Sequence, residues 1–233
     1  MEGHPDSLLV HITDLLGTES PVLGALIGYT PSHHVIMENV MGDRDKSAEP
    51  ELWETYDLKP IDYFYPERDL VPQPLASHEI QARFYNVPFK DKVRVTRTQF
   101  QDLRSRIEQD TVFLKAGDTV DYSLFLVRYP ARNQPAESSE WRHGVTSTDG
   151  KWTYRVVLLD FFWAKHKLLA QAMTGVVHTF NVVGRKGPMS ITTTAQEYRD
   201  KFLRMVDGLV ELSEDQPNTQ VINQAERHLS ASK

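Results

Sequence analysis

An α+β domain, built on an antiparallel hairpin and packed with helices, is the fold class that this chain predicts. Three observations carry it. Leu124 to Val127, inside FLKAGDTVDYSLFLVRYP at residues 113–130, is uniformly apolar, as expected of a strand covered on both faces. Residues 152–162, WTYRVVLLDFF, form a second apolar run, and the polar segment between the two allows Leu124–Tyr129 and Tyr154–Asp160 to pair as antiparallel strands. Residues 98–116 take a helical period, with Phe100, Leu103, Ile107 and Leu114 on one face, Thr98 or Thr96 as cap and Gly117 as stop, which sets a helix behind the hairpin.

The composition bounds what such a domain does. With 233 residues, 40% hydrophobic and 25% charged, the chain suffices for one domain or large lobe with a true core. The absence of cysteine excludes disulfides, thiolate catalysis and thiolate metal sites, and it fits an intracellular, cytoplasmic protein. A net charge of −6 argues against a general nucleic-acid binder. No apolar run approaches a membrane span and the N-terminus carries no signal-peptide pattern, so any membrane contact is expected to be peripheral.

Taken in order, Leu8, Leu9, Ile12, Leu15 and Leu16 have helical spacing behind Asp6 as a cap, which predicts a core helix. Val35 to Met41 is a short strand candidate, and Gly42 to Glu54 is charged and predicts a solvated loop. Asp62 to Lys92, rich in aromatic residues and proline without a sustained period, predicts an ordered, irregular connection. On the 98–116 helix, Arg104, Arg106, Glu108 and Asp110 read as an exposed, charge-paired face. Pro130 to Gly150 has the composition of a flexible loop, and His143 within it is isolated. After residue 160, Phe161 to Val177 forms a broad apolar stripe broken by Lys165, His166 and Lys167. It fits either a core helix with a basic turn or an amphipathic, membrane-facing segment. Thr194-Ala195-Gln196-Glu197 is a capping box opening a helix that buries Tyr198, Phe202, Met205, Val206 and Leu209. The domain is expected to span residues 1–212, with 213–233 a polar tail. No internal repeat, Walker-type loop, zinc spacing or serine-hydrolase elbow is present.

Two acids stand out because each lies at the mouth of an apolar strand. Asp121 fits a turn or cap aspartate beside Gly117-Asp118, and it equally fits a catalytic base or metal ligand at the rigid end of a core strand. Asp160 closes the second run, so two carboxylates at adjacent strand ends are able to face one space. Kinase-type phosphoryl transfer uses such a pair, one orienting the attacking hydroxyl and the other holding magnesium on the phosphates.

Residues 120–125, Val-Asp-Tyr-Ser-Leu-Phe, and Leu158-Leu159-Asp160 resemble the MDYSLL and IID segments of the phosphatidylinositol phosphate kinases. Ile36-Met37-Glu38-Asn39-Val40 is similar to the strand and linker joining that family's two lobes. Tyr56-Asp57-Leu58-Lys59 resembles the start of its DLKGS motif, here followed by Pro60-Ile61 where the family has Gly-Ser. Ala164-Lys165-His166-Lys167 is similar to the opening of its activation segment, and Ser190-Ile191-Thr192 through Tyr198 and Phe202 to that segment's end and the following helix. The resemblance implies a kinase-like second lobe of the SAICAR synthase-like type. It implies transfer of the ATP γ-phosphate, with Mg2+, to the inositol ring of a phosphoinositide at a membrane surface. In that case Asp121 orients the hydroxyl and Asp160 binds magnesium. Glu38, Asn39 and Val40 meet the adenine, Lys59 contacts phosphate, and Lys165, Lys167, Arg185 and Lys186 meet the lipid phosphates. The family's glycine-rich loop and nucleotide lysine lie upstream of the point where the match begins, so an upstream segment or a protein partner is the expected source of that lobe. The alternative is a catalytically inactive kinase-like lobe that binds a protein or a membrane.

Overall fold

The computed structural model of the chain describes residues 6–17, 33–61, 89–131, 140–161, 190 and 193–213. The expected irregular connection up to residue 88, the segment bearing Lys165, Lys167, Arg185 and Lys186, and the tail beyond Ser213 lie outside the described residues. In chain order the elements are β1 (Ile12–Gly17), β2 (His33–Met37), β3 (Glu54–Leu58), β4 (Val93–Thr96), α1 (Arg97–Ala116), β5 (Ser123–Pro130), β6 (Val145–Thr146), β7 (Trp152–Leu159), α2 (Ala195–Leu209) and β8 (Val210–Ser213). Single 3-10 turns at Arg44–Lys46 and Pro50–Leu52 shape the charged loop between β2 and β3.

The expected hairpin is present, and it is the middle of an antiparallel sheet of order β3-β5-β7-β6. Pairing of β5 with β7 runs from Ser123 opposite Leu159 to Pro130 opposite Trp152, and β3 pairs on the other side of β5 from Glu54 opposite Arg128 to Leu58 opposite Leu124. Because side chains alternate between faces, this register sorts the residues cleanly. Leu124, Leu126, Tyr154, Val156 and Leu158 share one face and form the core with Leu103, Ile107 and Leu114 of α1 and Tyr198, Phe202 and Val206 of α2. Asp57, Ser123, Phe125, Val157 and Leu159 share the other.

Both helices start where their capping residues place them. Thr96 accepts the Gln99 N–H at 3.2 Å and the Gln99 side chain accepts the Thr96 N–H at 2.9 Å, a reciprocal box that chooses Thr96 over Thr98. Thr194 accepts the Glu197 N–H at 3.1 Å. At the far end of α1, Gly117 keeps a negative φ of −82° and Asp118 takes the left-handed conformation at φ 49°. An aspartate tolerates that conformation better than most side chains do. The helices are clasped at their other ends by β4 and β8, which pair in parallel from Val93–Val210 to Thr96–Ser213.

Three expectations are corrected. The first block is not helical: Leu8, Leu9 and Val10 run extended and buried along β7, with Val10 N–H donating to Leu158 O at 3.0 Å and Leu158 N–H to Leu8 O at 2.7 Å. Ile12, Leu15 and Leu16 are exposed on β1, which pairs with β2. Neighbouring leucines satisfy a helical and an extended pattern alike, and the open edge of β7 selected the extended one. The loop before Gly150 is partly core: Trp141 is buried, donates its indole N–H to Gln99 O at 3.2 Å, and accepts the Val156 N–H at 2.9 Å through its carbonyl. Gly144, at φ 141°, lets β6 approach β7, since a Cβ there would lie 2.9 Å from Thr153 Cγ2.

Asp110 is the third correction, being only 6% exposed. Its carboxylate accepts the Ser7 hydroxyl at 2.8 Å and the Leu8 N–H at 2.7 Å, so this helical acid helps to dock the first segment. It does so together with Arg106, which donates to Asp6, and Arg142, which donates to the Ser7 and Leu9 carbonyls. Replacing Asp110 by Ala orphans a buried N–H and is expected to cost about 1–3 kcal/mol in denaturant unfolding. Glu108→Ala, which breaks an exposed pair with Arg104, should cost below about 1 kcal/mol. Equal losses from the two variants would show that Asp110 does not anchor the segment.

Candidate active site

Leu58 of β3 lies opposite Leu124 of β5, and Ser123 of β5 opposite Leu159 of β7. The residue leaving β3, the dipeptide entering β5 and the residue leaving β7 therefore meet at one end of the sheet. These are Lys59, Asp121-Tyr122 and Asp160. Lys59 Nζ donates to the Asp121 carbonyl oxygen at 2.7 Å and to Asp121 Oδ2 at 3.3 Å, and it lies 3.7 Å from Asp160 Oδ2. One ammonium thus bridges both acids.

The backbone at both acids is unusual. Asp121 has φ 68° and Asp160 has φ 60°, left-handed values that cost a side-chain-bearing residue free energy. In each case the turn brings the carboxylate within reach of Lys59 at the end of its strand. The other oxygen of Asp121, Oδ1, accepts the hydroxyl of buried Ser190 at 2.5 Å.

Glu38, Asn39 and Val40 lie away from this end, beside the middle of β7. The Glu38 carboxylate accepts from Arg142 and from His11 N–H, and its own N–H donates to His11 O at 2.9 Å. Asn39 Oδ1 accepts the Met41 N–H at 3.0 Å in a local turn, and Val40 O accepts from Arg155 of β7 at 3.3 Å. Arg155 also donates to Asp43 at 2.9 Å, and that hydrogen bond, with the cation's charge, holds the Asp43 carboxyl below its ordinary range. This linker is tied to the sheet face that carries Asp57 and Ser123, because Arg155 lies opposite Val127 and two residues from Val157 on that face.

A family model described as phosphatidylinositol-4-phosphate 5-kinase matches residues 1–144, more than half of the 233. The chain belongs to that family. The match takes in Glu38 to Val40, Lys59 and Asp121 and ends before β7, so Asp160 joins the cluster through the fold. No curated protein matches the chain.

In this phosphatidylinositol-4-phosphate 5-kinase family member the site contains residues, named above only within motif matches, to which sequence reasoning gave no role. Asp57, on β3 and on the same face as Ser123, is largely buried, and burial raises its pKa. The charges of Asp160 and Asp121 add to that shift, while Ser123 and Lys59 oppose it. Although Ser123 acts on it, neither Asp57 Oδ1 nor Ser123 Oγ closes a hydrogen bond of good geometry among the described residues. The signal was available in the DLK triplet, where strand alternation puts Asp57 and Lys59 on one side of β3. Ser190 had no such signal, since it is 69 positions from its partner.

A raised carboxyl pKa has a definite sign in folding. The unfolded state releases the proton first, near 3.8, so in the window above that value the native state binds more protons and stability falls as pH rises. Asp57→Asn removes this penalty without changing shape. Relative to wild type it should raise the melting temperature at pH 7, with the gain vanishing as pH falls toward 3.8. A gain independent of pH, or a loss at pH 7, would contradict the burial of a charged Asp57.

Proposed function

We propose that this chain is the catalytic lobe of a phosphatidylinositol phosphate kinase, which moves the γ-phosphate of ATP to an inositol-ring hydroxyl of a phosphoinositide. The observation that carries the proposal is the convergence of Lys59, Asp121 and Asp160 at one sheet end, with both acids in left-handed backbone conformations. Family membership supports the substrate class.

Each residue has a part in this reaction. Asp121 accepts a hydrogen bond from the ring hydroxyl and aims its oxygen at phosphorus. Lys59 sits where a transferring phosphate would bring negative charge, and in the reaction its ammonium passes from the carboxylates to phosphate oxygens. Asp160, with its side chain 57% exposed, presents oxygen donors of the kind magnesium takes. Among the described residues no group of three acids or histidines could enclose a metal. Mg2+ keeps waters and substrate phosphate in its shell and takes only one or two carboxylates from a protein. When bound, the ion supplies neutralisation of the phosphate charge. The face between the cluster and the linker at Glu38, Asn39 and Val40 is where the nucleotide lies in this proposal. Lys165, Lys167, Arg185 and Lys186 are the proposed contacts to the lipid phosphates and to an anionic membrane.

A second reading, a lobe that binds without catalysing, has Pro60 in its favour. It follows Lys59 directly and offers no amide N–H to a phosphate. Calorimetry with magnesium-ATP separates the two, since micromolar binding supports the kinase and no binding supports the inactive lobe.

Purified chain should phosphorylate vesicles of phosphatidylcholine containing phosphatidylinositol 4-phosphate in a magnesium-dependent manner, with the 3- and 5-phosphate isomers as parallel arms. Asp160→Asn should lower the rate by at least about 100-fold, the scale of losing several kcal/mol of charge stabilisation. Activity that survives this substitution would remove Asp160 from the reaction.

A further inference from the structure

Helix α2 and the chain leading into it grip the Asp121-Tyr122 step from two sides. Tyr198, in the first turns of α2, donates its hydroxyl to the Tyr122 carbonyl at 2.5 Å in a buried bond. The Tyr122 ring meets Tyr198 and Phe202 edge-on, each with centroids 4.8 Å apart. Four residues before the cap Thr194, Ser190 donates its hydroxyl to Asp121 Oδ1 at 2.5 Å. Ser190 is itself 2% exposed, and its carbonyl accepts the Thr193 N–H at 3.2 Å, which joins it to the capped start of the helix.

The two oxygens of Asp121 are thus held by different parts of the chain, Oδ2 by Lys59 after β3 and Oδ1 by Ser190 before α2. We infer that Ser190 is a positioning residue, whose hydroxyl fixes the rotamer of Asp121 and, through the Thr193 N–H bond to its carbonyl, links the start of α2 to the acid that orients the substrate hydroxyl. Each carboxylate oxygen carries two lone pairs, so the Ser190 bond leaves Oδ1 an acceptor site toward substrate. A carboxylate held at both oxygens loses little rotamer freedom on binding substrate, which is the condition for a near-attack geometry. Among the described residues, loss of the hydroxyl would leave the Asp121 carboxylate held by Lys59, which must be released toward phosphate in the proposed reaction.

The activity arm rests on the kinase reading, and a second arm does not. In the first, Ser190→Ala should lower kcat about 10- to 100-fold, as misplacement of a catalytic group does. KM for magnesium-ATP should stay within about twofold, since Ser190 touches the group that orients the hydroxyl and not the nucleotide. Ser190→Thr, which retains the donor, should recover most of kcat. In the second arm, melting temperatures of Ser190→Ala, Asp121→Ala and the double variant are compared. A direct bond predicts that the double variant falls by clearly less than the sum of the single losses. A kcat within twofold of wild type for Ser190→Ala overturns the inference, as does additivity of the melting losses in either case. Should wild type prove inactive on every phosphoinositide, the kinase reading fails, and the melting cycle alone decides whether Ser190 holds Asp121.

Discussion

Antiparallel register between β3, β5 and β7 is the constraint on which the site depends. The pairings Leu58 with Leu124 and Ser123 with Leu159 leave no choice about where Lys59, Asp121 and Asp160 emerge. A slip of one residue in either ladder would turn Leu124 and Leu126 out of the core and bring Ser123 and Phe125 in. The apolar packing against α1 and α2 therefore sets the geometry of the candidate site as well as the fold. The first segment reinforces this register, because Leu8 and Val10 fill the backbone hydrogen bonds of Leu158, and Asp110 fastens that segment to α1.

Among the described residues, charge at this sheet end is unbalanced. One ammonium, Lys59, faces the carboxylates of Asp121 and Asp160, with Asp57 buried behind them and pushed toward its neutral form. Clustered acids with a single cation are costly in isolation and become favourable when further positive charge arrives. In the proposed reaction a magnesium ion would bring such charge, and the phosphate it carries would give Lys59 a new anionic partner. The left-handed backbone at Asp121 and Asp160 adds a second cost. Both costs are carried by the packed core and are of the sort that gathers at reaction centres.

Helix α2 serves the core and the site together. Its buried face, with Tyr198, Phe202 and Val206, closes the sheet, while Tyr198 and the preceding Ser190 reach the two residues entering β5.

Much of this was legible in the sequence. Apolar runs of strand length identified β5 and β7, helical period with Thr96 and Thr194 identified α1 and α2, and an acid at the mouth of each run identified Asp121 and Asp160, because these signals are local and repeat within a few residues. What only the tertiary structure decided is long in sequence separation. Leu8 to Val10 became extended because an open edge of β7 captured them, Asp110 became buried because Ser7 and Leu8 docked on it, and Trp141 entered the core through contacts with α1 and β7. Ser190 met Asp121 for the same reason: a hydrogen bond across 69 positions is created by packing, and no periodicity or cap in the chain announces it.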